Sequence, residues 1–242
     1  MDSMVRLLLL LLLCLPPLFA RANAPAFELH QRLVPAAGRT AALTLDACGG
    51  GFDRDLIDFL IERRMPATIF VTAKWIARNA EGSALLRAHP ELFEIEDHGA
   101  EHVPAVLGAG RRVYGLRGEP DLAHLKSEVD GGAAAIRQAF GVVPRWYRGA
   151  TALYDAPSVR AIEGMGYRIA GFSVNADAGA TLPRAAIIAR LGTVRDGDVI
   201  IAHMNKPASQ SAEGLAPGLD SLAARGFRFV KLGELPLVRV AG

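Results

Sequence analysis

Short apolar runs alternate with amphipathic stretches along nearly the whole chain, and this alternation limits the folds open to it. The runs are 41–46, 67–73, 93–97, 144–148, 167–174, 198–202 and 227–232. They are rich in Ile, Val and Phe and lack clean period-two alternation, as strands covered on both faces do. In 55–64, Leu56, Ile57, Leu60 and Ile61 share one helical face. Leu122, Leu125, Val129, Ile136 and Phe140 do the same in 121–140. Gly131-Gly132 weakens that helix, and a break is expected there. Further helices are expected at 155–164, 184–193 and 213–225, with Gly166, Gly197 and Gly226 as turn residues before strands. Strands alternating with helices make a parallel α/β architecture. The chain of 242 residues is slightly short for eight βα units, which take about 250. The expected fold is therefore α/β, a distorted (β/α)7 barrel. A Rossmann-like sheet is the alternative, but no G-x-G-x-x-G follows the first strand. GGGF at 49–52 has no P-loop Lys-Ser/Thr after it and reads as a flexible turn. Residues 25–40 read as an arm or entry strand, and 103–120 as a long loop over the site.

The N-terminus has the form of an export signal. Arg6 precedes an unbroken run from Leu7 to Leu13, then Cys14, Leu15, Pro16 and Pro17, and Ala22-Asn23-Ala24 fits a small-x-small cleavage site. Residues 1–24 are thus expected to be a signal peptide and 25–242 one catalytic domain, periplasmic or secreted. The apolar stretch is too short and too Pro-broken for a span of about 20 residues, so no membrane span is expected after cleavage; a retained anchor is the alternative. Removal of Cys14 would leave Cys48 without a disulfide partner. The formal net charge of +2 and the scattered Arg residues argue against a nucleic-acid partner. The oligomeric state is not legible.

Several polar residues stand directly after apolar runs, where α/β folds collect their chemistry. Asp46 follows AALTL, His98 follows LFEIED, and His203 follows DVIIA. His98 and His102 lie four apart and, on a helical turn, would share one face and grip one ion. Asp46 beside such an ion suits a general base, and a protonated His203 suits an acid. Asp177 is placed to pair with His203 and raise its pKa. Arg148, ending another run, is placed to hold Asp46 through a bidentate contact. The ordinary alternatives are a turn-capping Asp, hydrogen-bonded strand-end histidines and a surface Arg. The segment also reads H-x-x-E-H, the inverted zinc-peptidase pattern with Glu101 as base, although Gly99 and Pro104 sit poorly in the helix that pattern needs.

Taken in order, Thr44-Leu-Asp46-Ala47, His98-x3-His102, Tyr147-Arg148-Gly149, Asp177 and Ile200-Ile-Ala-His203 resemble the polysaccharide deacetylase family (NodB-like, carbohydrate esterase family 4). The resemblance runs from about 40 to 232 and implies a distorted (β/α)7 barrel. It implies Asp46 as base, His98 and His102 as ligands of a divalent metal such as zinc, and Arg148 as the residue orienting the base. His203 becomes the acid, tuned by Asp177. The implied reaction is hydrolysis of N-acetyl groups on an amino-sugar glycan, which would be the substrate partner.

The sequence departs from the family pattern where a second aspartate commonly follows the first; Ala47 stands there. Gly99 and Gly149 replace the usual hydroxyl residue and proline. Two imidazoles leave an ion under-coordinated, since hydrolytic zinc sites usually have three protein ligands. A weak site completed by water is the expectation, in which Ala47→Asp would tighten metal binding. Cys48, Asp53, Asp97 and Asp46 itself are the substitute ligands considered. A catalytically silent glycan-binding barrel is the rival from another functional class.

Overall fold

The computed structural model describes residues 24–34 and 38–241. The expected leader, up to residue 23, lies outside the described residues. Every predicted apolar run contains a strand: β1 (Thr40–Ala47), β2 (Ala67–Val71), β3 (Phe93–Asp97), β4 (Trp146–Tyr147), β5 (Arg168–Ile169), β6 (Val174–Asn175), β7 (Asp198–His203) and β8 (Arg228–Val230). The run 167–174 divides into β5 and the start of β6. The strands pair in parallel in the order β5-β4-β3-β2-β1-β7-β6, and β8 pairs with the first half of β1. Helices α1 (Arg54–Glu62), α2 (Ala73–Arg78), α3 (Ala80–Ala88), α4 (Leu122–Phe140), α5 (Ala156–Gly164), α6 (Arg184–Gly192) and α7 (Ser211–Ala224) connect them. This is the distorted (β/α)7 barrel expected from the sequence. No described helix is long and apolar enough to cross a membrane.

Two buried clusters show which way each strand residue points. Leu43, Leu45 and Ala47 of β1 pack with Leu56, Leu60, Ile187 and Leu219 in the layer between sheet and helices. Ala42 packs with Phe70, Trp146, Val199, Ile201 and Val230 inside the curled sheet. Side chains alternate along a strand, so Thr44 and Asp46 of β1 and His203 of β7 face the interior.

The curled sheet is closed by the arm. Consecutive strands β5 and β6 lie at opposite ends of the parallel row, and residues 170–173 cross the gap between them. The arm covers this crossing: Phe172 N–H donates to the Leu29 carbonyl and Gln31 N–H to the Phe172 carbonyl. Gly171 N–H donates to Gln31 Oε1 at 2.6 Å. Gly171 is required here, because a Cβ would collide with the Leu29 carbonyl oxygen.

Three expectations change. Helix α4 runs unbroken through Gly131-Gly132, and Gly132 lets the Asp97–Gly99 segment lie against the helix where a side chain would clash. Leu122 is exposed rather than on the buried face. The 103–120 segment is a folded excursion with its own short hairpin, Arg112–Val113 against Leu116–Arg117, tied down by Arg111 Nη1 on Asp155 at 2.9 Å. Gly171→Ala is expected to lower stability to urea by about 1–3 kcal/mol, the usual cost of forcing extra volume into a packed site; an unchanged unfolding midpoint would contradict closure by the arm.

Candidate active site

Arg148, immediately after β4, is fully buried inside the curled sheet. Its Nη1 donates to Asp46 Oδ1 at 2.9 Å and to Thr44 Oγ1 at 2.8 Å. Nε donates to the Ala170 carbonyl and Nη2 to the Gly171 carbonyl. The guanidinium also lies over the Phe70 ring, 4.3 Å from its centre. Arg148 therefore spans the interior instead of forking onto Asp46, and the expected bidentate contact is a single hydrogen bond. Burial pushes the Asp46 carboxyl upward, but Arg148, with His98 and His203, outweighs it and holds the group below its ordinary range.

The imidazole pair sits on a loop, which corrects the expected helical turn. Gly99 (φ 85°) and His102 (φ 67°) both take left-handed backbone. For a non-glycine residue this costs about 1–3 kcal/mol and persists only where the surroundings over-determine it. Here Glu128 of α4 accepts from the Glu101 and Val103 amides, on either side of His102. The first amides of α2, Ala73 and Lys74, donate to the Gly99 and Ala100 carbonyls. The two rings lie 4.9 Å apart. His98 Nδ1 lies 2.6 Å from the Arg148 carbonyl oxygen. That oxygen can only accept, so Nδ1 carries a proton and Nε2 is the ring nitrogen aimed into the site. Burial disfavours charge on His98, but Asp46 and Cys48 raise its pKa to about 9.

Cys48 stands one residue past β1 and on the interior side, with Asp46, while Ala47 is fully buried in the helix-side core. This overturns the expectation that Ala47→Asp would tighten metal binding, because that carboxylate would be buried among Leu43, Leu45 and Val71. Alternation along the chain aims the Cys48 side chain away from that of position 47, and this brings the sulfur into the site. Cys48 Sγ is 3.4 Å from His98 Nε2. One ligand atom each from Cys48, His98 and His102 lies within 4.8 Å of the others, and this is the one such His/Cys/Asp/Glu group among the described residues. Burial raises the thiol pKa, but His98 and hydrogen bonding to His102, His203 and His98 bring it well below the ordinary thiol range.

His203 faces Asp46 in register across the β1–β7 pair. Its Nδ1 is 2.9 Å from Asp177 Oδ1. The other carboxylate oxygen of Asp177 accepts from the His203 amide and from Ser211 Oγ, each at 2.9 Å. Burial works against the imidazolium, yet Asp177 and the Cys48 sulfur raise the His203 pKa well above its ordinary value.

The six residues singled out in the sequence, Asp46, His98, His102, Arg148, Asp177 and His203, thus surround one interior space, with Cys48 at its centre. Glu101 does not join them: its side chain is 70% exposed and faces Lys74 Nζ at 3.8 Å. The segment is not helical, so the inverted-peptidase reading loses its geometry. Asp53 caps α1 by accepting from Leu56, and Asp97 is buried, accepting from Gly99. GGGF is an anchored turn rather than a loose one, with Gly51 N–H donating to the Asn205 carbonyl and Trp75 Nε1 to the Gly51 carbonyl. Sequence reading missed Glu128; its signal was a carboxylate on the buried face of α4, between Leu125 and Val129.

The chain belongs to the polysaccharide deacetylase family, matching it over residues 34–170. Several solved structures share the fold. Peptidoglycan deacetylase PdaC from Bacillus subtilis aligns at 19% identity and TM-score 0.66, covering 82% of this chain and 90% of that one. A family 4 acetyl xylan esterase from Clostridium thermocellum, in complex with a cobalt ion, aligns at 20% identity and TM-score 0.65, covering 81% and 89%. A CE4 family pseudoenzyme from Bacillus anthracis aligns at 14% identity and TM-score 0.64, covering 82% and 66%. No curated protein sequence matches.

Were His203 to serve as an acid in its protonated form, the rate would fall as pH rises through its pKa. Asp177 raises that pKa, so Asp177→Asn should move the alkaline limb of the rate profile to lower pH. A limb that stays in place would show that Asp177 does not tune His203.

Proposed function

We propose that this protein is an exported, metal-dependent hydrolase that removes N-acetyl groups from amino sugars of an envelope or extracellular polysaccharide. The observation that carries the reading is the meeting of two oppositely tuned groups, Asp46 and His203, at the ends of adjacent strands. Asp46 is held as a carboxylate by Arg148, and His203 is held as an imidazolium by Asp177. Environments that push two titratable groups apart in this way assign one as base and the other as acid. Export to the periplasm or beyond the cell is supported by Arg6, the leucine run and the Ala22-Asn23-Ala24 site.

The donor set fits a divalent ion, zinc by its imidazole and sulfur content. Such an ion, when bound by His98 and His102, acidifies water and polarises an acyl carbonyl. The remaining work falls to this chain's own residues. Asp46 Oδ1 is tied to Arg148, leaving Oδ2, which is 3.8 Å from His98 Nε2, to take a proton from the attacking water. Arg148 keeps Asp46 ionised and fixes its plane. His203 has Nδ1 committed to Asp177, so Nε2–H, which faces the site and the Cys48 sulfur, is the proton it can give to the departing amine nitrogen. The Asp177 carboxylate, itself held by Ser211, orients the ring and stabilises its charge.

Acetate release from N-acetylated chitooligosaccharides and peptidoglycan fragments tests the reading. Asp46→Asn and His203→Ala should each lower turnover by about 10²–10⁴-fold, while Asp46→Asn keeps its metal. No acetate from any of these substrates, with glycan binding retained, would instead assign a silent binding barrel.

A further inference from the structure

We propose that Cys48, as a thiolate, is the third protein ligand of the metal site, replacing a carboxylate and making the centre selective for zinc over hard ions such as magnesium and calcium. The inference deepens the metal-dependent reading above and rests on it.

The placement follows from the strand. Alternation along β1 puts Thr44 and Asp46 inside the curled sheet and Leu45 and Ala47 against the helices, and Cys48 continues the interior series. Its backbone is fixed there, because its carbonyl accepts from Thr72 Oγ1 at 2.9 Å. Thr72 also caps α2 by accepting from Trp75 at 2.9 Å. The amides that follow in α2 hold the Gly99 and Ala100 carbonyls. One short helix start therefore fixes both the cysteine and the histidine loop.

The spacing matches coordination. Zinc–sulfur and zinc–nitrogen bonds of about 2.3 and about 2.0–2.1 Å at a tetrahedral angle place the two donors about 3.6 Å apart. The observed Sγ to Nε2 separation is 3.4 Å, and Nε2 faces the sulfur because Nδ1 is bound to the Arg148 carbonyl. Each competing carboxylate is held by another partner, Asp46 Oδ1 by Arg148, Asp53 by the start of α1 and Asp97 Oδ1 by the Gly99 amide, and Cys48 rather than any of them groups with His98 and His102. Three protein donors leave a fourth position for substrate or water, the arrangement of catalytic rather than structural zinc. Thiolate is a soft donor and disfavours hard, oxygen-preferring ions. Assigning the third ligand to Cys48 also leaves Asp46 free to act as base.

The test is spectroscopic and does not depend on turnover. Full-length protein loaded with cobalt(II) should show a near-ultraviolet thiolate-to-cobalt charge-transfer band together with tetrahedral visible bands. Cys48→Ser and Cys48→Asp, checked for folding by circular dichroism, should lose the charge-transfer band. Competition with a chelator should show zinc binding by Cys48→Ser weakened at least about 100-fold, beyond the about 10–100-fold usual for residues that only support a ligand. Cys48→Asp should retain metal but gain affinity for manganese relative to zinc.

Cobalt bound by the wild type without a charge-transfer band would overturn the proposal while leaving a His98–His102 metal site intact. Failure of the wild type to bind cobalt or zinc would overturn both. Unchanged zinc affinity in Cys48→Ser, with an acetyl thioester found on Cys48 of the wild type by mass spectrometry, would also overturn it and make the sulfur a nucleophile activated by His203.

Discussion

A buried guanidinium organises this molecule. Arg148 reaches from the end of β4 to β1, taking the Asp46 carboxylate and the Thr44 hydroxyl, and to the β5–β6 crossing, taking the Ala170 and Gly171 carbonyls. Its own carbonyl receives the proton of His98 Nδ1. One residue therefore sets the ionisation of Asp46, the protonated nitrogen of an imidazole and the closure of the sheet. Desolvating such a charge is expensive, and a buried pair tends to be neutral or unfavourable against apolar packing. Breaking it from one side, however, leaves an uncompensated buried charge at a cost of about 3–5 kcal/mol. The arrangement is thus better understood as fixing geometry than as adding stability.

A second constraint is the two-residue period of β1. Because Asp46 and Cys48 share one side and Ala47 the other, the carboxylate and the sulfur enter the same space while the intervening residue completes the helix-side core. The Gly99–His102 loop then supplies the imidazoles from above, with left-handed backbone held by Glu128 and the first amides of α2. The close approach of this loop to α4 explains why Gly132 lies within a helix that glycine weakens.

Much of the fold was legible because buried parallel strands leave continuous apolar runs, and every one of those runs contains a strand. Strand ends were also sufficient to bring Asp46, His98, Arg148 and His203 into one set. Other features were not legible for local reasons. The run 67–73 reads as strand to its end, but Thr72 turns its hydroxyl to cap α2, and α2 and α3 are too short and too polar to show a clear stripe. His98 and His102 have helical spacing, yet Gly99 and Pro104 favour the loop that forms. Position 47 attracts attention by comparison with the family, whereas the chemistry moves to position 48, which only the direction of the strand reveals. Glu128 is distant in sequence from the loop it holds.

A zinc titration of metal-free protein decides whether these residues form a hydrolytic metal centre. Bound zinc and acetate released from an N-acetylated chitooligosaccharide would be followed together. The expected result is a rate that rises in proportion to bound zinc and saturates at one ion per chain. Saturation of the site with zinc while acetate release stays at the background of the Asp46→Asn variant would contradict it.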